Sequence, residues 1–120
     1  MNQVTFLVNY QVEQPRKLEA FITRFCQSIA CSVIDLTIEK YPKFEGQYQA
    51  RFGIAINEEK PEKVVYQMLL WAQQLSGSTR GEWTVTGPRF DDFLSFDCTF
   101  NGGGQHQPLK WANLTFDDLE

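Results

Sequence analysis

The chemistry available to this chain turns on few residues. His106 is its single histidine, and an imidazole that works as a general base needs a carboxylate to orient it. Its neighbours Gln105 and Gln107 supply none, so a catalytic constellation would require Asp91 or Asp97 to arrive through the fold. The reading is a surface-loop histidine, with no catalytic residue assigned. Asp91, Asp92 and Asp97 carry the oxygens that Mg²⁺ prefers, but adjacent aspartates in a connecting segment commonly form turns. No metal site is expected there. Gly102-Gly103-Gly104 lacks the Gly-Lys-Ser or Gly-Lys-Thr and the following helix that a phosphate loop needs, so it reads as a mobile hairpin tip. Cys26, Cys31 and Cys98 are odd in number and contain no Cys-x-x-Cys pair, which excludes a zinc ribbon and leaves three small buried hydrophobes. No cofactor is called for.

Charge and rings are arranged more informatively. Residues 1–60 balance seven basic against seven acidic side chains, whereas residues 91–120 set Lys110 against Asp91, Asp92, Asp97, Asp117, Asp118 and Glu120. The net charge of −4 therefore resides in the last quarter. The same segment carries Phe90, Phe93, Phe96, Phe100, Trp111 and Phe116. Rings supply contact area and carboxylates steer a basic partner, so Asp91, Asp92, Phe93, Asp97, Trp111, Asp117 and Asp118 form the expected partner-binding set. Phe93 and Trp111 are the rings expected to be exposed. A solvated acidic tail over an aromatic core is the plainer alternative.

These side chains must be positioned by regular elements, and the pattern supplies them. Val4, Phe6, Val8, Tyr10 and Val12 alternate as in a half-buried strand. Pro15 opens a stretch in which Leu18, Phe21, Ile22, Phe25 and Ile29 recur at helical spacing, ending near Cys31. Ile34, Leu36 and Ile38, then Tyr48 to Ile56, form a hairpin across the turn at residues 41–46. Its wet side holds Asp35, Thr37, Glu39, Gln47, Gln49 and Arg51. Pro61 begins a second helix with a stripe of Val64, Val65, Met68, Leu69, Ala72 and Leu75, stopped by Gly77. Strand-like runs follow at Glu82–Thr86, Leu94–Phe100 and Lys110–Phe116. The β-α-β-β-α-β order predicts an α+β, ferredoxin-like antiparallel sheet with two helices on one face and one or two added C-terminal strands.

At 120 residues the chain is read as one domain, 1–120. No apolar run approaches the roughly 18 residues of a membrane span, and Met1 to Phe6 lacks the basic region of a signal peptide. The expectation is a cytoplasmic protein with no membrane partner. A pI near 5.0 argues against a sequence-independent grip on nucleic acid.

In size, acidity and the aromatic C-terminal segment, from Phe90-Asp91-Asp92-Phe93 to Thr115-Phe116-Asp117-Asp118, the chain resembles the small immunity proteins that bacteria encode beside polymorphic or contact-dependent toxins. The resemblance rests on that profile and on no motif, so it transfers no residue role. It implies a protein-binding inhibitor of a cognate toxin domain, often a basic nuclease. The competing expectation is a ligand-binding plait or small enzyme that dimerises through its sheet, using the polar sheet face and His106.

Overall fold

The computed structural model describes residues 2–90, 94–104 and 106–117. They follow the order β1 (Asn2–Gln11), α1 (Pro15–Ser28), β2 (Ile34–Lys40), β3 (Gln47–Ile56), α2 (Pro61–Ser76), β4 (Gly81–Phe90), β5 (Leu94–Gly102) and β6 (Leu109–Asp117). Both helices begin at proline, whose fixed φ suits the first helical position and whose missing N–H is not needed there. α2 stops at Gly77, which takes a φ of 53° while its N–H donates to the Gln73 carbonyl. α1 closes less regularly, with Ala30 at a φ of 56° and the Cys31 N–H returning to the Cys26 carbonyl.

The six strands form one antiparallel sheet in the order β2-β3-β1-β6-β5-β4. Its core side, which carries the even-numbered residues of β1, β3, β5 and β6 and the odd-numbered ones of β4, is apolar: Val4, Phe6 and Val8, Ala50, Phe52 and Ile54, Phe96, Cys98 and Phe100, and Ala112, Leu114 and Phe116 are all buried. α1 lies against β2 and β3, α2 against β5 and β6, and the two helices touch each other. One core results, into which α1 sends Leu18, Ile22 and Phe25 and α2 sends Val64, Met68, Trp71 and Leu75. At its centre Phe6 stacks on Phe52 at 4.8 Å between ring centroids and meets Phe25 at 5.6 Å.

The α+β class, the two helices on one side and all six strands agree with the sequence pattern, but the strand order departs from the ferredoxin-like one. That arrangement would set the strand after α2 beside β1, whereas here β6 occupies this place and β4 lies at the far edge. Two features explain the exchange. The meander β4-β5-β6 reverses direction twice, so β6 has the same polarity as β4 and can pair antiparallel with β1. β6 also buries Leu109, Ala112, Leu114 and Phe116 and suits a central position. β4 is threonine-rich and contains Pro88, which lacks the N–H that an interior strand must offer on both sides. Its pairing with β5 is irregular between Thr86 and Arg89, around Pro88.

Candidate functional site

Because both helices pack on the core side, the opposite side of the sheet has no helix over it. Three ranks of side chains cross it, set by strand register. The first runs Glu39, Gln49, Asn9, Trp111, Asn101, Glu82; the second Thr37, Arg51, Leu7, Asn113, Thr99, Thr84; the third Gly53, Thr5, Thr115, Asp97, Thr86. Alternation in β1 places Asn9 here between core-facing Val8 and the ring of Tyr10, which stacks on Phe21 of α1. A break in the β1–β6 register beside Asn9 and Tyr10 brings Trp111 opposite Asn9 and sets Lys110 at the irregularity.

Hydrogen bonds organise this face in two clusters. In the first rank Gln49 Nε2 donates to Asn9 Oδ1 at 2.8 Å. In the second and third, Asn113 Nδ2 lies within reach of Thr99 Oγ1 at 2.9 Å, Asp97 Oδ2 at 3.2 Å and the Cys98 carbonyl at 3.3 Å, while the Thr115 hydroxyl donates to Asn113 Oδ1. Asp97 Oδ1 is buried and has no hydrogen-bond partner among the described residues. A carboxylate held in this way keeps much of its field, because little water is there to screen it.

The residues singled out in the sequence divide accordingly. Asp91, Asp92, Phe93 and Asp118 lie outside the described residues. Asp97 and Trp111 share the uncovered face, and Asp117 holds a register position on it opposite Ser95. Trp111 and Asp97 do not form one cluster, however. Trp111 is four residues along β6 from Thr115, the partner of Asp97, which separates them by about 13 Å. Phe96, Phe100 and Phe116 belong to the core. Thr37, Glu39, Gln49 and Arg51 lie on this face as the hairpin pattern implies, whereas Asp35 has a φ of 53° at the irregular start of β2. The sequence reading passed over Asn9 and Asn113, although each stands at an odd position of an alternating strand.

The remaining candidates have simpler placements. His106 is exposed beside a shallow depression of about 250 Å³ shared with Gln11, Gln107 and Pro108, and no carboxylate hydrogen-bonds to it among the described residues. The Gly102–Gly104 turn is anchored rather than a free tip. Gln107 accepts from the Arg80 N–H at 2.7 Å and donates to the Arg80 carbonyl at 3.0 Å, and the Gly103 N–H reaches the same carbonyl. Gly102 is required by close approach, since a Cβ there would meet the Leu109 carbonyl oxygen at 2.8 Å. Burial raises all three thiol pKa values, that of Cys98 to about 11 with a further contribution from Asp97, so none is an activated nucleophile.

Among the described residues no three His, Cys, Asp or Glu side chains converge as metal ligands, and no helix is long and apolar enough to cross a membrane. Comparison with family models, with curated proteins and with solved structures found no match.

Proposed function

We propose that this protein is a binding module that inhibits a basic protein partner, as immunity proteins do for a cognate toxin, and that it engages that partner through the uncovered face of its sheet. The observation that carries the reading is the face itself. It is a broad surface lined by amides, hydroxyls and Trp111, on a chain of net charge −4. Glu82 and Asp97 place carboxylates on this face, and Asp117 stands in register beyond them. Carboxylates of this kind raise the association rate with a basic surface, while a half-buried tryptophan contributes contact area at small entropic cost.

The reading is tested by capture from the source lysate with the immobilised protein, followed by native mass spectrometry. The comparison set is Glu82→Lys, Asp97→Asn, Trp111→Ala and Tyr66→Ser, the last on the outer side of α2, where Tyr66 is 65% exposed. The expected result is a one-to-one complex with a basic protein, retained by wild type and Tyr66→Ser, weakened by the three sheet-face variants and loosened by salt. A partner held equally by all five proteins, or one indifferent to salt, would overturn the assignment to this face.

A further inference from the structure

The uncovered face is not uniform. At the end away from Asp97, the β2–β3 connection folds beside β6 to enclose a groove of about 510 Å³, within the range of about 300–1,000 Å³ common for small-molecule sites. Asn9 and Gln49 line it together. Asn9 is only 6% exposed, and its Oδ1 accepts from Gln49 Nε2. A pair of amides joined by one hydrogen bond still presents a donor from one partner and an acceptor from the other, whichever way the two are turned. At a groove wall that donor and acceptor are placed to pair with a ligand edge that carries the complementary groups.

Around the amides stand rings and cations. Trp111 lies opposite Asn9 on β6, and Tyr41 and Phe44 enter from the connection as a tilted pair 5.9 Å apart. Phe44 is 51% exposed. The ammonium of Lys43 lies 5.8 Å from the Phe44 ring centroid, and Lys110, tethered to the Gly104 carbonyl at 3.2 Å, brings a second positive charge to the same groove. Among the described residues no acidic side chain lines it. In a chain of net charge −4 this is a local reversal of sign.

From this combination we infer that the groove binds a small planar heteroaromatic anion of the nucleoside-monophosphate type. A base has faces for the aromatic side chains and an edge on which donor and acceptor adjoin, the pattern that asparagine and glutamine side chains match at adenine. Lysine ammonium groups suit a phosphate as point charges. The groove lies at the end of the face away from Asp97 and shares Trp111 with the surface proposed for the protein partner, so its occupancy is read on the protein without that partner.

The test is a titration of ¹⁵N-labelled protein with AMP and GMP, followed at the side-chain amides of Asn9 and Gln49 and the indole N–H of Trp111, with adenosine and inorganic phosphate as separate probes. The expected result is saturable shifts at these three groups with at least one monophosphate, and binding at least tenfold weaker for adenosine. Lys43→Ala and Asn9→Ala should each weaken binding about tenfold, while Tyr66→Ser on the outer side of α2 leaves it unchanged. Absence of shifts with both nucleotides at millimolar concentration would overturn the inference. So would equal shifts with inorganic phosphate alone, or binding unaffected by Lys43→Ala and Asn9→Ala in protein whose spectrum shows it folded.

Discussion

Replacing Asp97 by asparagine should make this protein more stable. One carboxylate oxygen, Oδ2, is within 3.2 Å of Asn113 Nδ2, while Oδ1 is buried without a hydrogen-bond partner among the described residues. An unsatisfied buried polar atom costs about 1–3 kcal/mol, more when it carries charge. Asparagine keeps the acceptor facing Asn113, removes the charge and places an amide nitrogen between Thr86 and Thr115, the register neighbours of position 97. Part of the gain is lost if the new N–H groups are imperfectly satisfied, which leaves a net stabilisation of about 1.5 kcal/mol. For a domain of this size urea m-values lie near 1.5 kcal/mol/M, so the unfolding midpoint should rise by about 1 M. The assay is urea denaturation followed by circular dichroism at neutral pH, with Asn113→Ala beside it. Removing Asn113 leaves Asp97 Oδ2 and Thr99 Oγ1 without their amide donor and should lower stability by about 1–3 kcal/mol. A midpoint for Asp97→Asn at or below wild type would refute the reasoning, since the carboxylate would then be paired in the folded protein. Stabilisation together with weaker partner binding would mark Asp97 as a residue kept for function at a cost in stability.

Two further outcomes test the core and its thiols. Phe6 is fully buried and stacked on Phe52, so Phe6→Ala should cost about 3–5 kcal/mol, readable in the same urea assay, and a loss under 1 kcal/mol would contradict the packing described. Cys98 titrates at about 11 when folded against 9.0 when exposed, so the unfolded chain loses that proton first as pH rises. Stability should therefore be insensitive to this group below pH 9 and fall by up to about 3 kcal/mol as pH approaches and passes 11. Cys98→Ala should flatten that part of the profile, and an unchanged alkaline slope in the variant would show that the thiol is not the responsible group.

Period and punctuation in the sequence were enough to place the elements. Alternation in β1, β3, β5 and β6 depends only on which residues are apolar, and the prolines at 15 and 61 with Gly77 mark helix ends by their own backbone preferences. The wet side of the β2–β3 hairpin was legible for the same reason. Strand order was not, because a pattern of period two says which way side chains face and nothing about which strand lies alongside. Pro88 alone hinted that β4 belonged at an edge.

The candidate sites were visible only in part. Asp97 and Trp111 were identifiable by type, and the shared face follows from their odd numbers, but the distance between them depends on the register of β5 against β6. The amide groove was hidden more deeply. Asn9 and Gln49 are 40 residues apart and meet only because β1 and β3 pair in one register. Lys43 and Lys110 lie far apart in a chain whose acidity suggested no anion site, and the turn of the β2–β3 connection beside β6 brings them together. Local composition determines the elements and their faces, whereas the convergence of charges and amides from distant strands depends on long-range pairing that only the folded sheet decides.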